Sequence, residues 1–130
     1  MKRSEMREQA FFLTFESLFN LNDNMDELIE MYSDNVEEVC EYAKDIFSGI
    51  TSKKEEFDSV INTYSKSWRV SRLPKVTLAI LYVALYEMKY VENVPVNVAI
   101  NEAVEISKKY AGKDDPAFIN GILGSVSRES

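Results

Sequence analysis

Apolar residues recur at helical spacing along almost the whole chain. Near the start, Phe11, Phe15 and Leu18 stand at i, i+4 and i+7, which is the spacing of one face of an α-helix. This first helix is expected to end near residues 20–24. No segment alternates apolar and polar residues for long enough to predict a β-strand. The pattern therefore predicts an all-α fold of about seven helices.

The middle of the chain contains signals for three of these helices. A short helix is predicted over residues 25–32, and Asp34 is a credible N-cap for a longer helix after it. Ser52 is followed three residues later by Glu55, which is the sequence pattern of a capping box. A further helix is therefore expected to begin at Ser52.

Prolines mark the starts of the predicted helices in the second half. Pro74 can occupy the first turn of a helix, where its missing N–H would have no partner, and Pro95 and Pro116 can do the same. Asp115 is the expected cap of the last helix. The stretch 76–88 is apolar on nearly all sides, so it should be the central helix of the core.

Length and composition favour one ordinary globular domain over residues 1–130. Hydrophobic residues make up 45% of the chain and charged residues 28%, which is enough apolar surface to bury a core. No apolar stretch approaches the roughly 20 residues of a membrane-spanning helix. The beginning, MKRSEMREQ, stays polar where a signal peptide would turn apolar, so the cytoplasm is the expected location.

The chain has no histidine and a single cysteine, Cys40. Histidine is the side chain most used for proton transfer near neutral pH, and it is a common zinc ligand. Its absence argues against most enzyme classes and against a metal site. We therefore expect no catalytic residue and no cofactor, and a buried, unreactive Cys40 on an apolar helical stripe.

Charge is distributed unevenly along the chain, whose net charge is −7. Residues 16–66 hold 13 acidic and 4 basic side chains. Residues 1–15 hold 2 acidic and 3 basic side chains, and residues 67–130 hold 7 acidic and 8 basic ones. Phosphate binding depends on Lys and Arg, so the acidic total alone argues against a nucleic-acid ligand. The uneven pattern allows an acidic partner-facing surface and a basic N-terminal arm, although plain solubility would explain it as well.

The C-terminal third contains the most distinctive sequence. The segment PVNVAINEAVEISKKYAG begins at Pro95, and FINGILGSV begins at Phe118. Upstream, LYVALYE begins at Leu81 and is preceded by Trp68 and Arg72. In combination, these segments resemble the NusB family of transcription antitermination factors.

The first helix fits the same family through five residues, namely Arg7, Glu8, Ala10, Leu13 and Phe15. Three positions depart from the family pattern. Phe15 stands where a tyrosine is common, Thr77 where an acidic residue is usual, and Tyr82 where the family often has arginine. The resemblance spans nearly the whole chain and is weakest over residues 21–66.

This resemblance implies two small helical bundles packed across each other. It also implies a non-enzymatic RNA-binding factor that binds the single-stranded boxA element of nascent ribosomal RNA leaders. The implied protein partner is NusE, which is ribosomal protein S-ten, and the pair acts on RNA polymerase in an antitermination complex. No membrane and no small-molecule substrate are implied.

Seven residues match family positions associated with RNA, namely Lys2, Arg3, Arg7, Phe15, Asp114, Phe118 and Asn120. The three cations form a basic arm suited to phosphate contact. Aromatic rings stack on unpaired bases, so Phe15 and Phe118 are candidates for stacking, although both also lie on apolar stripes and could be core residues. Asn120 could contact a base or hold a neighbouring helix.

Other functions remain possible from the sequence. A protein-interaction adaptor without RNA contact is one alternative. A stand-alone relative of the RNA-binding domain that precedes some ribosomal RNA methyltransferases is another. An enzyme is disfavoured, because carboxylates such as Glu37, Glu38 and Glu41 could build a di-metal site only with the histidines that such sites use.

Overall fold

The computed structural model of this chain describes residues 1–19 and 24–129. Within these ranges the chain forms six α-helices and no strand, which confirms the predicted all-α class and replaces the expected seven helices by six. The helices are α1 (Arg3–Ser17), α2 (Met25–Asn35), α3 (Glu41–Tyr64), α4 (Lys75–Tyr90), α5 (Val96–Tyr110) and α6 (Asp115–Glu129). A short 3-10 turn, Val70–Arg72, lies between α3 and α4. The first helix ends at Ser17, and residues 20–23, where its end was expected, lie outside the described residues.

The helix expected to begin at Ser52 is a correction, because α3 runs through this position without a break. The Ser52 hydroxyl donates to the carbonyl of Gly49 within the same helix, at 3.0 Å, and caps nothing. Ile50, Phe57 and Ile61 are all buried, so one apolar face continues across the expected boundary. A capping-box pattern inside a continuous apolar stripe does not interrupt the helix.

The predicted cap at Asp34 is also wrong, since Asp34 lies inside α2 and α3 begins only at Glu41. The side chain of Gln9, on α1, holds the intervening segment in a non-helical conformation. Its amide donates to the side chain of Glu37 at 2.9 Å, and its carbonyl oxygen accepts from the backbone N–H of Cys40 at 3.0 Å. Cys40 is therefore a half-buried N-cap residue and not part of a buried helical stripe.

The central position of α4 is confirmed. Every residue from Thr77 to Leu85 is buried, and α4 contacts four other helices, α1, α3, α5 and α6. Pro74 and Pro95 are the N-cap residues immediately before α4 and α5, so each proline marks the start of a helix as predicted but lies one residue before its first turn. Asp115 is the first residue of α6, where its carboxylate accepts from the Gly112 N–H at 2.7 Å. In the described part of the chain, no helix is long and apolar enough to cross a membrane.

Candidate nucleic-acid interface

The N-terminal turn of α1 presents two exposed cations. Lys2 is the residue before the helix, and its backbone N–H donates to the Glu5 carboxylate at 3.0 Å. The guanidinium of Arg3 lies 4.0 Å from the centre of the Tyr42 ring, which is a cation–π contact. Stacking on a ring holds the guanidinium plane and leaves its edge N–H groups available to an anion. Both cations thus have the exposure that phosphate contact requires.

Arg7 does not belong to this exposed arm, which corrects the expectation of a solvated side chain. It is only 2% exposed, because it lies one turn further along α1, between α4 and α5. Its Nε donates to Glu87 of α4 at 2.6 Å, and its Nη1 donates to Glu102 of α5 at 2.8 Å. This geometry makes Arg7 a clamp between three helices, and its predicted contact with RNA stays a prediction.

The Glu87 carboxylate, which accepts from Arg7, also accepts a hydrogen bond from the hydroxyl of Tyr42, at 2.5 Å. Burial and the hydrogen bond to Glu87 raise the pKa of Tyr42 to about 12. Burial by itself would lower the pKa of Arg7, but its hydrogen bond to Glu87 and the negative charges nearby outweigh burial and raise that pKa. The guanidinium therefore stays charged and the phenol stays neutral across the physiological range.

Phe15 lies in a groove formed by a cluster of aromatic rings at the other end of α1. It packs against Phe11 with ring centres 6.0 Å apart and against Phe19 at 4.9 Å. Tyr110, from the end of α5, stacks on Phe11 at 5.5 Å, and the Lys75 ammonium lies 5.3 Å from the Phe19 ring. Phe15 itself is half-buried and packs against the core.

The structure brings Phe15 together with residues that the sequence did not single out, above all Phe19, Tyr110 and Lys75. One signal was present, since Phe11, Phe15 and Phe19 repeat at a spacing of four residues, which places three rings along one side of a helix. The sequence could not show that Lys75 of α4 and Tyr110 of α5 join this groove, because that depends on how these two helices pack against α1.

Phe118 and Asp114 line a second groove, together with Trp68, Arg72 and the buried Thr77. Phe118 is half-buried, whereas Asp114 is exposed. Trp68 and Arg72 precede α4, and Asp114 and Phe118 lie at the start of α6. The two grooves therefore adjoin the same first turn of α4.

The predicted site residues do not form one patch. Arg3 and Phe15 are twelve residues apart on α1, about 18 Å along the helix axis. Asn120 is exposed and stands two positions after Phe118 on α6, so it projects from roughly the opposite side of that helix. Among the described residues, no three His, Cys, Asp or Glu side chains cluster closely enough to hold a metal ion.

Comparisons of sequence and of structure with known proteins all find NusB proteins. A sequence model of the NusB family matches residues 4–128. The transcription antitermination protein NusB of Acetivibrio thermocellus is 41% identical over an alignment of 129 positions, which covers 97% of this chain and 88% of that protein. NusB of T. maritima has a TM-score of 0.88 at 28% identity, covering 99% of this chain and 92% of that one.

A solved structure described as the antitermination factors NusB and NusE in complex with dsRNA shares the fold. Its TM-score is 0.85 at 23% identity, and the superposition covers 98% of this chain and 97% of that one. The family match extends from the first turn of α1 to the last turn of α6, so it includes every helix described above. On this basis, the chain belongs to the NusB family.

Proposed function

We propose that this protein is a transcription antitermination factor that binds boxA-type single-stranded RNA of nascent ribosomal RNA transcripts as a heterodimer with NusE, ribosomal protein S-ten. The observation that carries the proposal is the family match over residues 4–128. A relative named as an antitermination protein aligns with 97% of the chain. Such a factor acts where bacterial RNA polymerase works, in the cytoplasm, and it needs no catalytic group.

The exposed cations of α1 support RNA contact despite the net charge of −7. Affinity for phosphate depends on local cations, and Lys2 and Arg3 are exposed at the N-terminal end of α1. Half-buried Phe15 and Phe118, in the two grooves, supply rings for unpaired bases. Asp114 and Asn120 are exposed; the Asp114 carboxylate can accept hydrogen bonds from base edges, and the Asn120 amide can both accept and donate them.

The acidic half of the chain supports a basic protein partner. Asp26 and Glu30 on α2, and Glu41 and Asp45 on α3, are exposed. Complementary charge attracts a basic ribosomal protein and raises the rate of association. The pair would then hold RNA jointly, which suits a protein whose own cations are few. A solved structure that shares the fold of this chain is described as the antitermination factors NusB and NusE in complex with dsRNA, which supports a joint assembly.

The test is a titration of a short boxA-type RNA with this protein, with NusE and with their mixture, at two salt concentrations. We expect the mixture to bind most tightly. Replacing Lys2 and Arg3 together by Ala should weaken binding by the mixture roughly tenfold or more and should reduce the salt slope by about 0.7 per lost phosphate contact.

The matched control replaces Lys53 and Lys108 by Ala, which removes the same charge from α3 and α5. Both lysines lie outside the predicted RNA contacts, so this control should leave the RNA affinity within about twofold of the wild type. If the Lys2 and Arg3 variant binds like this control, the arm does not contact RNA. If the wild-type mixture binds no RNA while the protein still binds NusE, the chain is a protein-interaction adaptor.

A further inference from the structure

A third groove lies between α1 and α2 and shares no residue with the two grooves beside α4. Leu13 of α1 and Leu28 and Tyr32 of α2 line it with buried or half-buried side chains, and Met31 and Val36 line it with exposed ones. We propose that this α1–α2 groove docks a basic amphipathic helix of a protein partner other than NusE. The inference goes beyond the proposed function, because neither RNA nor NusE is the occupant.

The exposed apolar side chains of the α1–α2 groove are held on a fixed backbone. Met31 is 45% exposed and Val36 is 66% exposed. The Val36 N–H donates to the Tyr32 carbonyl at 2.9 Å, and the Gln9 amide holds the segment that follows Val36. The Asn35 side chain donates to the Met31 carbonyl at 2.8 Å, so it is engaged with its own helix. Exposed apolar side chains beside a groove with a polar rim are typical of a protein-interaction surface.

The packing of α2 leaves room for another helix. Leu28 is the one buried side chain among its 11 residues. The main contacts of α2 are with α1, whereas each of the other α-helices packs against at least two neighbours. An amphipathic helix that lies in a groove inserts apolar side chains from one face and keeps its polar face outside. The α1–α2 groove offers the apolar half of such an interface.

The charge around the groove selects a basic occupant. Residues 24–38 hold six acidic side chains and no basic one, and all six are exposed. None of the six forms an ion pair with any residue that the structure describes. Glu27 and Asp34 are neighbours of Met31 on the helix surface, and Glu16 lines the groove from α1. The last turn of α2 has no basic residue to offset the negative end of the helix dipole. The six acidic residues are Asp26, Glu27, Glu30, Asp34, Glu37 and Glu38.

The same charge disfavours the other occupants. RNA and an anionic membrane surface would be repelled by the carboxylates. A second copy of this chain, packed groove to groove, would place the same carboxylates against each other. NusE is attracted by the overall negative charge, which acts at long range and does not need an apolar floor. Docking of an amphipathic helix needs the carboxylates and the exposed Met31 and Val36 together.

The test uses a labelled synthetic peptide of Ala and Lys with Leu at positions i, i+4 and i+7. At about 14 residues its helix is about 21 Å long, which is enough to span α2. Fluorescence anisotropy measures its binding to the free protein, to the preformed complex with NusE and to NusE alone. We expect equal affinity for the first two, weaker binding at higher salt and no binding to NusE alone. A control peptide with Glu in place of every Lys should not bind.

Replacing Met31 and Val36 together by Ser removes the apolar contact and keeps every charge. Peptide affinity should fall by roughly tenfold or more, because two side chains no longer become buried on binding. The melting temperature should stay near that of the wild type, since both side chains are exposed. The matched control replaces Val96 and Val98 by Ser, which are each 38% exposed on α5, and should leave peptide affinity unchanged.

A second pair of variants tests the charge separately. Glu27→Gln with Asp34→Asn should weaken peptide binding several-fold and flatten its salt dependence, because two carboxylates beside Met31 are lost. The matched control, Glu55→Gln with Glu92→Gln, removes two exposed carboxylates outside the groove and should have a smaller effect on both quantities.

Three results would overturn the docking proposal. The first is equal peptide affinity of the wild type and the Met31 and Val36 variant. The second is binding of the Glu peptide as tight as that of the Lys peptide. The third is loss of NusE binding by the Met31 and Val36 variant, which would assign the groove to NusE. The proposed function is tested separately by boxA-type RNA binding of the mixture, so either conclusion can fail without the other.

Discussion

The buried ion pair of Arg7 makes the sharpest prediction for stability. Arg7→Ala would leave the Glu87 carboxylate, which is 0% exposed, with the Tyr42 hydroxyl as its one remaining hydrogen-bond partner among the described residues. The second partner of Arg7, Glu102, has a side chain 29% exposed, so water can solvate it once the pair is broken. The cost of the substitution therefore comes mainly from the stranded Glu87.

Removing one partner of a buried pair costs about 3 to 5 kcal/mol, because an uncompensated charge stays in the interior. A domain of this size is typically stable by about 5 to 15 kcal/mol, so the variant should still fold at 25 °C. At this chain length, each kcal/mol shifts the melting temperature by roughly 3 to 5 °C. The expected fall in melting temperature for Arg7→Ala is thus about 10 to 25 °C.

Urea unfolding followed by circular dichroism, together with calorimetry, measures both quantities. The matched control is Lys109→Ala, which removes a cation from an exposed pair with Glu8 at 2.9 Å and should cost less than about 1 kcal/mol. Replacing Arg7 and Glu87 together by Met should restore at least half of the lost stability, since no buried charge is then left unpaired.

An Arg7→Ala protein within 1 kcal/mol of the wild type would refute the buried clamp. If that variant also lost RNA affinity together with part of the salt slope, the Arg7 guanidinium of the wild type would instead be an exposed phosphate contact. A double Met variant no more stable than Arg7→Ala would show that packing around the pair, and not the unpaired charge, carries the cost.

Three further predictions concern ionisation, packing and metals. The raised pKa of Tyr42 contributes stability to the wild type that is complete below pH 10 and is lost toward pH 12. Between pH 9 and pH 11, the free energy of unfolding of Tyr42→Phe in urea should therefore rise relative to that of the wild type by about 1 kcal/mol. Parallel curves of unfolding free energy against pH for the two proteins would contradict this. Gly49→Ala should destabilise the protein by about 1 to 3 kcal/mol, since an added Cβ would lie 1.9 Å from Tyr86 Cε2. Gly121→Ala should stabilise the protein by roughly 0.5 to 1 kcal/mol, because an added Cβ would have nothing within 4 Å. Equal melting temperatures of the two variants would refute this difference in packing. Adding a chelator should leave the melting temperature unchanged, and a fall would reveal a structural metal.

The features that the sequence predicted well depend on local pattern. The apolar stretch 76–88 has no polar face to turn toward water, so its central position follows from composition alone. Pro74 and Pro95 restrict the backbone whatever surrounds them. The errors at Asp34 and Ser52 have the opposite origin, because a cap signal is weak and distant groups decide whether it is used. Near Asp34, the deciding group is a glutamine side chain from α1.

The candidate site was predictable in its residue types more than in its arrangement. Exposed Lys2 and Arg3 follow from their place before the first apolar stripe, but burial of Arg7 requires Glu87 and Glu102, which are 80 and 95 residues away in sequence. No local sequence pattern could show that Arg7, Glu87 and Glu102 form ion pairs with each other. The same holds for the Thr77 hydroxyl, which is buried without a hydrogen-bond partner in the described part of the chain, since a missing partner becomes visible only when the surrounding helices are in place.

One side of α1 serves two purposes at successive turns. Arg3 and Arg7 are four residues apart and project from the same side of the helix, but Arg3 is exposed and Arg7 lies between helices. Tyr42 joins them, because its ring contacts Arg3 while its hydroxyl donates to Glu87, the acceptor of Arg7. The buried pair thereby orients the turn that presents the exposed cation. A folded variant without Arg7 should therefore lose RNA affinity at an unchanged salt slope, since the slope counts phosphate contacts and a buried guanidinium makes none. If removal of Arg7 reduced the salt slope as much as Arg3→Ala does, Arg7 would instead be a phosphate contact.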